Sequence, residues 1–352
     1  MKTVTINNIE PRRDINGEII DAHDGCMQFF EGRYYLYGTA YGTNDGYGTG
    51  NRYRVYSSPD LERWTSAGEL LKRVPEGVYY RPYVVFNPYT RKYVLWYNWY
   101  PKLWDGQAGV ATSDTPIGPF TIVNPNVHLS HPDPGDGSLF VDNDETGYYI
   151  YTALNEGGAV RVERLAPDYL AATGETSGIL AMNTEAPVLF RRNDVYYALC
   201  GPRCAFCPEG SEVQVLTSAS PLGPFVSKAR SNINYRPHNG GAIAVTNQLW
   251  AVRSSSTNSI KTLPDGSEIK VPMIIRANNY PFISAQETWV ARILTPVGPE
   301  FIWMADRWGS CPDGVKGHDF QFWSMPLQFG ANGEILPVGK VAQWHMAWPN
   351  GN

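Results

Sequence analysis

Residues Phe140 to Leu154 read FVDNDETGYYIYTAL, an apolar entry, a polar turn ending in glycine, and an aromatic, β-branched exit. That order is the sequence form of a β-hairpin, because turn residues break two runs that each suit a pleated strand. The phrase recurs as FFEGRYYLYGT (Phe29 to Thr39), FNPYTRKYVLWYNWY (Phe86 to Tyr100) and FRRNDVYYALCG (Phe190 to Gly201). Weaker copies are AVTNQLWAVRS (Ala244 to Ser254) and GPEFIWMADRW (Gly298 to Trp308). Between them lie a second set of strand-like segments, YRVYSSPDLERWTSAGELL (Tyr53 to Leu71), GVATSDTPIGPFTIV (Gly109 to Val123) and VQVLTSASPLGPFVS (Val213 to Ser227). A hairpin plus a further strand pair, repeated at intervals of roughly 50–60 residues, is what propeller blades produce. No stretch keeps the helical apolar period without meeting Gly, Pro or Asn. The expected fold is all-β, a five-bladed β-propeller forming one domain over residues 1–352, with Tyr235 to Trp308 divisible as one blade or two.

The 352 residues are 43% hydrophobic and 13% aromatic, enough to bury a large core and to exclude a disordered chain. A net charge of −5 and the lack of any Lys/Arg run argue against a nucleic-acid partner. No window is apolar enough for a membrane span, and the polar start MKTVTINNIEPRRDINGEII does not resemble a secretory leader. The chain as written reads as cytoplasmic, or as exported if a leader once preceded it. Cys26, Cys200, Cys204, Cys207 and Cys311 are an odd number and do not read as a disulfide framework. Three of them crowd in CGPRCAFC, where the fourth ligand of a closed metal site is missing and packing is the expected role, a redox or partial metal role the alternative.

Acids placed just before a hairpin phrase sit where an inner strand enters the central funnel of a propeller. Asp24 in DAHDGCMQFF, Asp136 in HPDPGDGSLFVD and Glu185 in MNTEAPVLF hold that place in three repeats. Asp142, Asp144 and Glu145 fall instead in a turn and read as solvated. Convergent carboxylates suit glycosidic hydrolysis, in which one group protonates the departing oxygen and another activates water, while a third raises the pKa of the acid. His23 beside Asp24 is a candidate to orient a carboxylate or a sugar hydroxyl. His238 in RPHNGGA lies among glycines that let a loop approach the funnel. Tyr80, Trp99, Arg307 and Trp308 are the expected rim, since aromatic faces pack on sugar rings. The wall Trp96, Tyr97, Trp99, Tyr100 and Trp104 is expected to divide between core and rim.

These segments resemble the family 43 glycoside hydrolases, which are five-bladed propellers. HDGCMQFFEGRYYLYGT is similar to that family's HDPSxxxxxGxYYLFGT, YSSPDLERW to YSSxDLxxW, GDGSLFVDNDETGYY to DxxLFxDDDGxxY, and EAPVLFRRNDVYYAL to E(G/A)PxLFxxxGxYYL. CAFCPEGSEVQVLTSASPLGPF and FIWMADRW further resemble the subgroup of exo-acting galactan 1,3-β-galactosidases. The resemblance implies an inverting glycosidase with Asp24 as general base, Asp136 as pKa modulator and Glu185 as general acid. In the subgroup a Gln stands in for the base, and Gln286 in SAQETWV matches it. A Glu of the subgroup's ERPKVIYN is Tyr80 here, in YRPYVVFN. The implied substrate is an oligosaccharide or polysaccharide ending in β-D-galactose, with α-L-arabinofuranose and β-xylose as alternatives. A carbohydrate-binding propeller without catalysis is the non-enzymatic alternative. No cofactor is implied beyond an axial calcium ion near a His such as His238.

Overall fold

The computed structural model of the chain describes residues 2–204, 206, 211–227, 232–234, 259–262, 268–271, 283–295 and 298–348. Strand β1 (Lys2–Asn7) opens the chain, and four meanders follow, each an antiparallel sheet in chain order. The first blade is β2 (His23–Phe30), β3 (Arg33–Ala40), β4 (Arg52–Ser58) and β5 (Thr65–Glu69). The second is β6 (Val78–Asn87), β7 (Lys92–Tyr100), β8 (Gln107–Ser113) and β9 (Thr121–Asn124). The third is β10 (Pro134–Val141), β11 (Gly147–Ala153), β12 (Ala159–Leu165) and β13 (Ala172–Thr176), and the fourth β14 (Thr184–Arg192), β15 (Val195–Pro202), β16 (Val213–Ser218) and β17 (Asn232–Asn234). A separate ribbon, β18 (Ser259–Thr262) with β19 (Glu268–Val271), precedes the three-stranded fifth blade of β20 (Gln286–Thr295), β21 (Gly298–Arg307) and β22 (Phe320–Pro326). Strand β23 (Gln343–Trp348) returns to pair with β1.

The inner strands β2, β6, β10, β14 and β20 each touch the next, and β20 touches β2, so the five blades close a ring. This is the five-bladed propeller expected from the repeats. The four strong hairpin phrases are the inner hairpins of the first four blades, and the region left divisible supplies one blade among the described residues. The phrase from Ala244 to Ser254 lies outside the described residues, whereas Gly298 to Trp308 is the second strand of the fifth blade.

Strand β7 is buried along nearly its whole length because both faces are sandwiched between neighbouring blades. Aromatic pairs bridge those interfaces: Trp96 packs 4.7 Å from Tyr149, and Phe190 packs 5.2 Å from Phe301. The first inner hairpin turns on Glu31 and Gly32, at φ 50° and 77° between the paired residues Phe30 and Arg33. Two central residues at positive φ give the turn that matches strand twist, hence the glycine there. Among the described residues no helix is long and apolar enough to cross a membrane.

Candidate active site

Every inner strand is bulged near its start, with register shifts at His23/Cys26, Tyr80/Tyr83, Pro134/Gly137, Glu185/Val188 and Glu287/Trp289. A bulge re-aims a side chain and takes it out of the strict alternation of the strand. Asp24, Arg81 and Asp136 lie within these bulges, Glu185 stands at the edge of one and Gln286 just ahead of another; the five come from five different blades and line one pocket. Asp24 and Arg81 hold φ 47° and 53°, and Ala186 beside Glu185 holds φ 56°. Outside tight turns, non-glycine residues are uncommon in that region, and they cluster at binding and catalytic sites. Gly25 completes the first bulge, since a Cβ there would lie 2.0 Å from the Tyr37 carbonyl oxygen.

Asp24 is buried and accepts three hydrogen bonds. Thr39 Oγ1 and the Arg81 backbone N–H donate to Oδ1 at 2.6 and 3.2 Å, and Tyr41 OH donates to Oδ2 at 2.5 Å. Burial pushes its carboxyl up to about 6, against the pull of Arg81, Thr39 and Tyr41. Behind it, the Asp24 backbone N–H donates to Asp306 Oδ2 at 2.6 Å, and His23 Nδ1 lies 2.9 Å from Asp306 Oδ1. Burial alone would lower the His23 imidazole, but the adjoining Asp306 carboxylate outweighs it and holds the pKa at about 9. An imidazolium–carboxylate pair therefore fixes the backbone on which Asp24 rides.

Glu185 accepts at Oε1 from the Cys204 backbone N–H at 3.0 Å and from Gln286 Nε2 at 2.7 Å. Trp308 Nε1 in turn donates to Gln286 Oε1 at 2.8 Å, which fixes the amide's orientation. With Oε1 occupied by donors, Oε2 is the oxygen left to carry a proton. Burial and then the neighbouring Asp136 charge raise Glu185 to about 8, against Cys204, Arg81 and Arg203. Asp136 Oδ2 accepts the backbone N–H of Ala186 at 3.1 Å and lies 3.2 Å from Arg81 Nη2. The pocket thus pairs a carboxyl that ionises more readily with one on another blade that keeps its proton to higher pH. Around them Trp308, Tyr41, Phe206, Tyr47, Trp104, Tyr100 and Tyr80 form a belt of rings with successive contacts of 5.0 to 6.4 Å. Aromatic walls around a few polar groups at the base make a site for the apolar face and hydroxyls of one sugar ring.

Residues 19–248 match the sequence profile of glycosyl hydrolases family 43. The chain belongs to that family. An arabinoxylan arabinofuranohydrolase of Bacillus subtilis (strain 168) is 28% identical over 267 residues, covering 59% of this chain and 50% of that protein. The chain thus spans about half the length of this curated relative. Among solved structures, an exo-β-1,3-galactanase from Clostridium thermocellum superposes with TM-score 0.69 at 22% identity, covering 98% of this chain and 69% of that one. The exo-β-1,3-galactanase of Phanerochaete chrysosporium, solved with β-1,3-galactotriose, gives TM-score 0.72 at 20% identity over 99% of this chain and 69% of that one. At such identities the likeness is one of fold.

Within this family 43 site, Asp24, Asp136, Glu185, Gln286, Tyr80 and Trp308 all line the pocket, as the sequence led one to expect. Two rim assignments, Trp99 and Arg307, and the sugar-facing role considered for His23 need correction. Trp99 is buried against Tyr79 with rings 5.6 Å apart and Nε1 donating to the Pro125 carbonyl, while its neighbour Tyr100 faces the pocket. Arg307 stacks over Phe320 and reaches the Asn8 carbonyl, while its neighbour Asp306 faces His23. Successive strand residues point to opposite faces, so a one-residue misplacement selects the wrong one. His23 has no exposed surface and acts through Asp306, not on a sugar.

His238 and Cys207 lie outside the described residues. Cys204 is disulfide-bonded and Cys200 is a buried free thiol, so the cluster is in part a covalent tie beside the pocket. Arg81 occupies the second blade's strand start, the position that holds an acid in the first, third and fourth blades, and as a cation it carries no carboxylate signal in the sequence. Tyr41 and Phe206 carried no separate signal.

Proposed function

We propose that this protein is an exo-acting, inverting glycosidase that removes a terminal sugar. Asp24 is the general base, Glu185 the general acid and Asp136 the modulator of the acid. The observation that carries this reading is the pair of carboxyl groups on different blades of one pocket, Asp24 held at about 6 and Glu185 at about 8. Glu185 Oε2 gives its proton to the glycosidic oxygen as the bond to the anomeric carbon breaks. Asp24 takes a proton from the water that attacks that carbon from the opposite face, and the configuration inverts. Gln286 is assigned a positioning role beside the acid, because its amide donates to Glu185 and accepts from Trp308. The closed aromatic belt suits a single terminal residue better than a continuous chain.

The preferred substrate is β-D-galactose at the end of a β-1,3-galactan or arabinogalactan side chain, a preference that rests on the resemblance of CAFCPEGSEVQVLTSASPLGPF and FIWMADRW to the galactan 1,3-β-galactosidase motifs. A second reading, an α-L-arabinofuranosidase or β-xylosidase, is favoured by one feature. Tyr80 bonds the Gly46 carbonyl where the galactan-type motif has a carboxylate for the sugar. A panel of β-galactosyl, α-L-arabinofuranosyl and β-xylosyl substrates separates the two. Glu185→Gln and Asp24→Asn are each expected to lower turnover of the accepted class by ~10²–10⁴-fold. Unchanged turnover in Glu185→Gln would remove it as the acid, and no release from any member of the panel would favour a binding propeller.

A further inference from the structure

The loop between Arg307 and Phe320 gathers a second set of reactive side chains away from the carboxylates of the pocket. Cys311 Sγ, a carboxylate oxygen of Asp313 and a ring nitrogen of His318 all lie within 4.8 Å of one another. His318 Nδ1 and Asp313 Oδ2 are 2.7 Å apart and share a hydrogen bond that a metal ion can replace. The loop is stapled from within. Asp319 accepts the N–H groups of Gly309 and Cys311 at 2.9 and 3.1 Å, Ser310 Oγ accepts that of Phe320 at 2.8 Å, and Gly314 N–H bonds the Cys311 carbonyl at 3.2 Å. The three donors are therefore gathered before any ion arrives, which reduces the ordering cost of binding.

The chemistry of the set is selective. Hard cations such as calcium take several oxygens, whereas one sulfur, one nitrogen and one oxygen match a borderline-soft ion that accepts tetrahedral geometry with water as fourth ligand. Asp313 and His318 keep 47% and 38% of their side-chain surface exposed, so an ion can enter from solvent. We propose that Cys311, Asp313 and His318 form a binding site for a zinc-class divalent ion that pins this loop.

The pinned segment includes two groups that meet the pocket. Lys316 Nζ lies 3.9 Å from the ring centroid of Phe206 and 4.9 Å from that of Trp308, and the Gly317 carbonyl lies 3.3 Å from His23 Nε2. Joining Cys311 to His318 closes the loop around Lys316 and Gly317. The bound ion thereby holds the lysine against the aromatic belt, an effect on substrate binding that rests on the glycosidase reading above.

The test is titration of the metal-free protein with Co²⁺, a spectroscopic stand-in for zinc. The expected result is a saturable thiolate-to-cobalt charge-transfer band, bleached by Zn²⁺ and absent in Cys311→Ser, with affinity at least tenfold weaker in His318→Ala. Among the described residues the free thiols are Cys26, Cys200 and Cys311, and the first two are 0% and 1% exposed, so the band reports Cys311. Near-ultraviolet circular dichroism shows whether each variant is folded. No band in the wild type, or a band that persists in folded Cys311→Ser, overturns the site whether or not the protein hydrolyses a sugar. With an accepted substrate, zinc is expected to lower KM several-fold at unchanged kcat. An unmoved KM alongside a genuine band overturns the pinning role.

Discussion

At Asp24, donors from Thr39, Tyr41 and Arg81 favour the charged form and burial opposes it, and burial wins by enough to leave the group at about 6. At Glu185 burial and the Asp136 charge act together, and the group stands at about 8. A base works when ionised, so activity should rise as pH climbs through about 6. An acid works when protonated, so activity should fall as pH passes about 8. The pH profile of kcat/KM is therefore expected to be a bell with its maximum between those values. Asp136→Asn should move the alkaline limb to lower pH, because a charge that helps hold Glu185 up is gone. An alkaline limb unmoved in that variant would contradict the role given to Asp136. These three acids were legible because each stands before a hairpin phrase. Arg81 was not, because a search for carboxylates passes over a cation in the same place. Asp306 was not because nothing in FIWMADRW says which of two adjacent residues faces inward.

The inner strands show what local pattern conveys and what it leaves out. Aromatic and β-branched runs around turn residues mark the hairpins, since those side chains suit a surface buried on both sides. The bulges have no comparable mark. Asp24, Arg81 and Ala186 carry positive φ without being glycine, a conformation that persists where the surrounding structure holds it. Ala186 is fully buried, holds φ 56° and gives its N–H to Asp136. A β-branched side chain is least able to adopt that conformation. Ala186→Val is expected to lose ~1–3 kcal/mol of stability, read as a lower denaturant midpoint. An unchanged midpoint would show that the bulge is not under the constraint described.

Across the whole fold, β1 pairs with β23 in a separate two-stranded sheet beside the three-stranded fifth blade. Asn8, 4% exposed, connects that pair to the blade. Its Oδ1 accepts the Trp323 N–H at 2.9 Å, and its Nδ2 donates to the Trp323 and Val341 carbonyls at 3.0 and 2.9 Å. Asn8→Ala takes the side-chain acceptor from the Trp323 N–H and a donor from the Trp323 and Val341 carbonyls, the Trp323 carbonyl keeping Trp344 Nε1 as donor, and is expected to cost about 1–3 kcal/mol, seen as a lower Tm in calorimetry. A Tm equal to that of the wild type would show that Asn8 does not anchor the β1–β23 pair to the blade. The β1–β23 pair carries no repeat signal because neither strand resembles a blade phrase, whereas the first four blades were legible from the phrases and the two weak copies left the last region divisible as one blade or two. The central claim is that carboxyl groups on different blades act on opposite faces of one terminal sugar. Proton NMR of the first-formed anomer during hydrolysis of a β-1,3-linked galacto-oligosaccharide tests it most directly. α-Galactose is expected to appear first and to mutarotate to the β form; β-galactose as the initial product would contradict inversion.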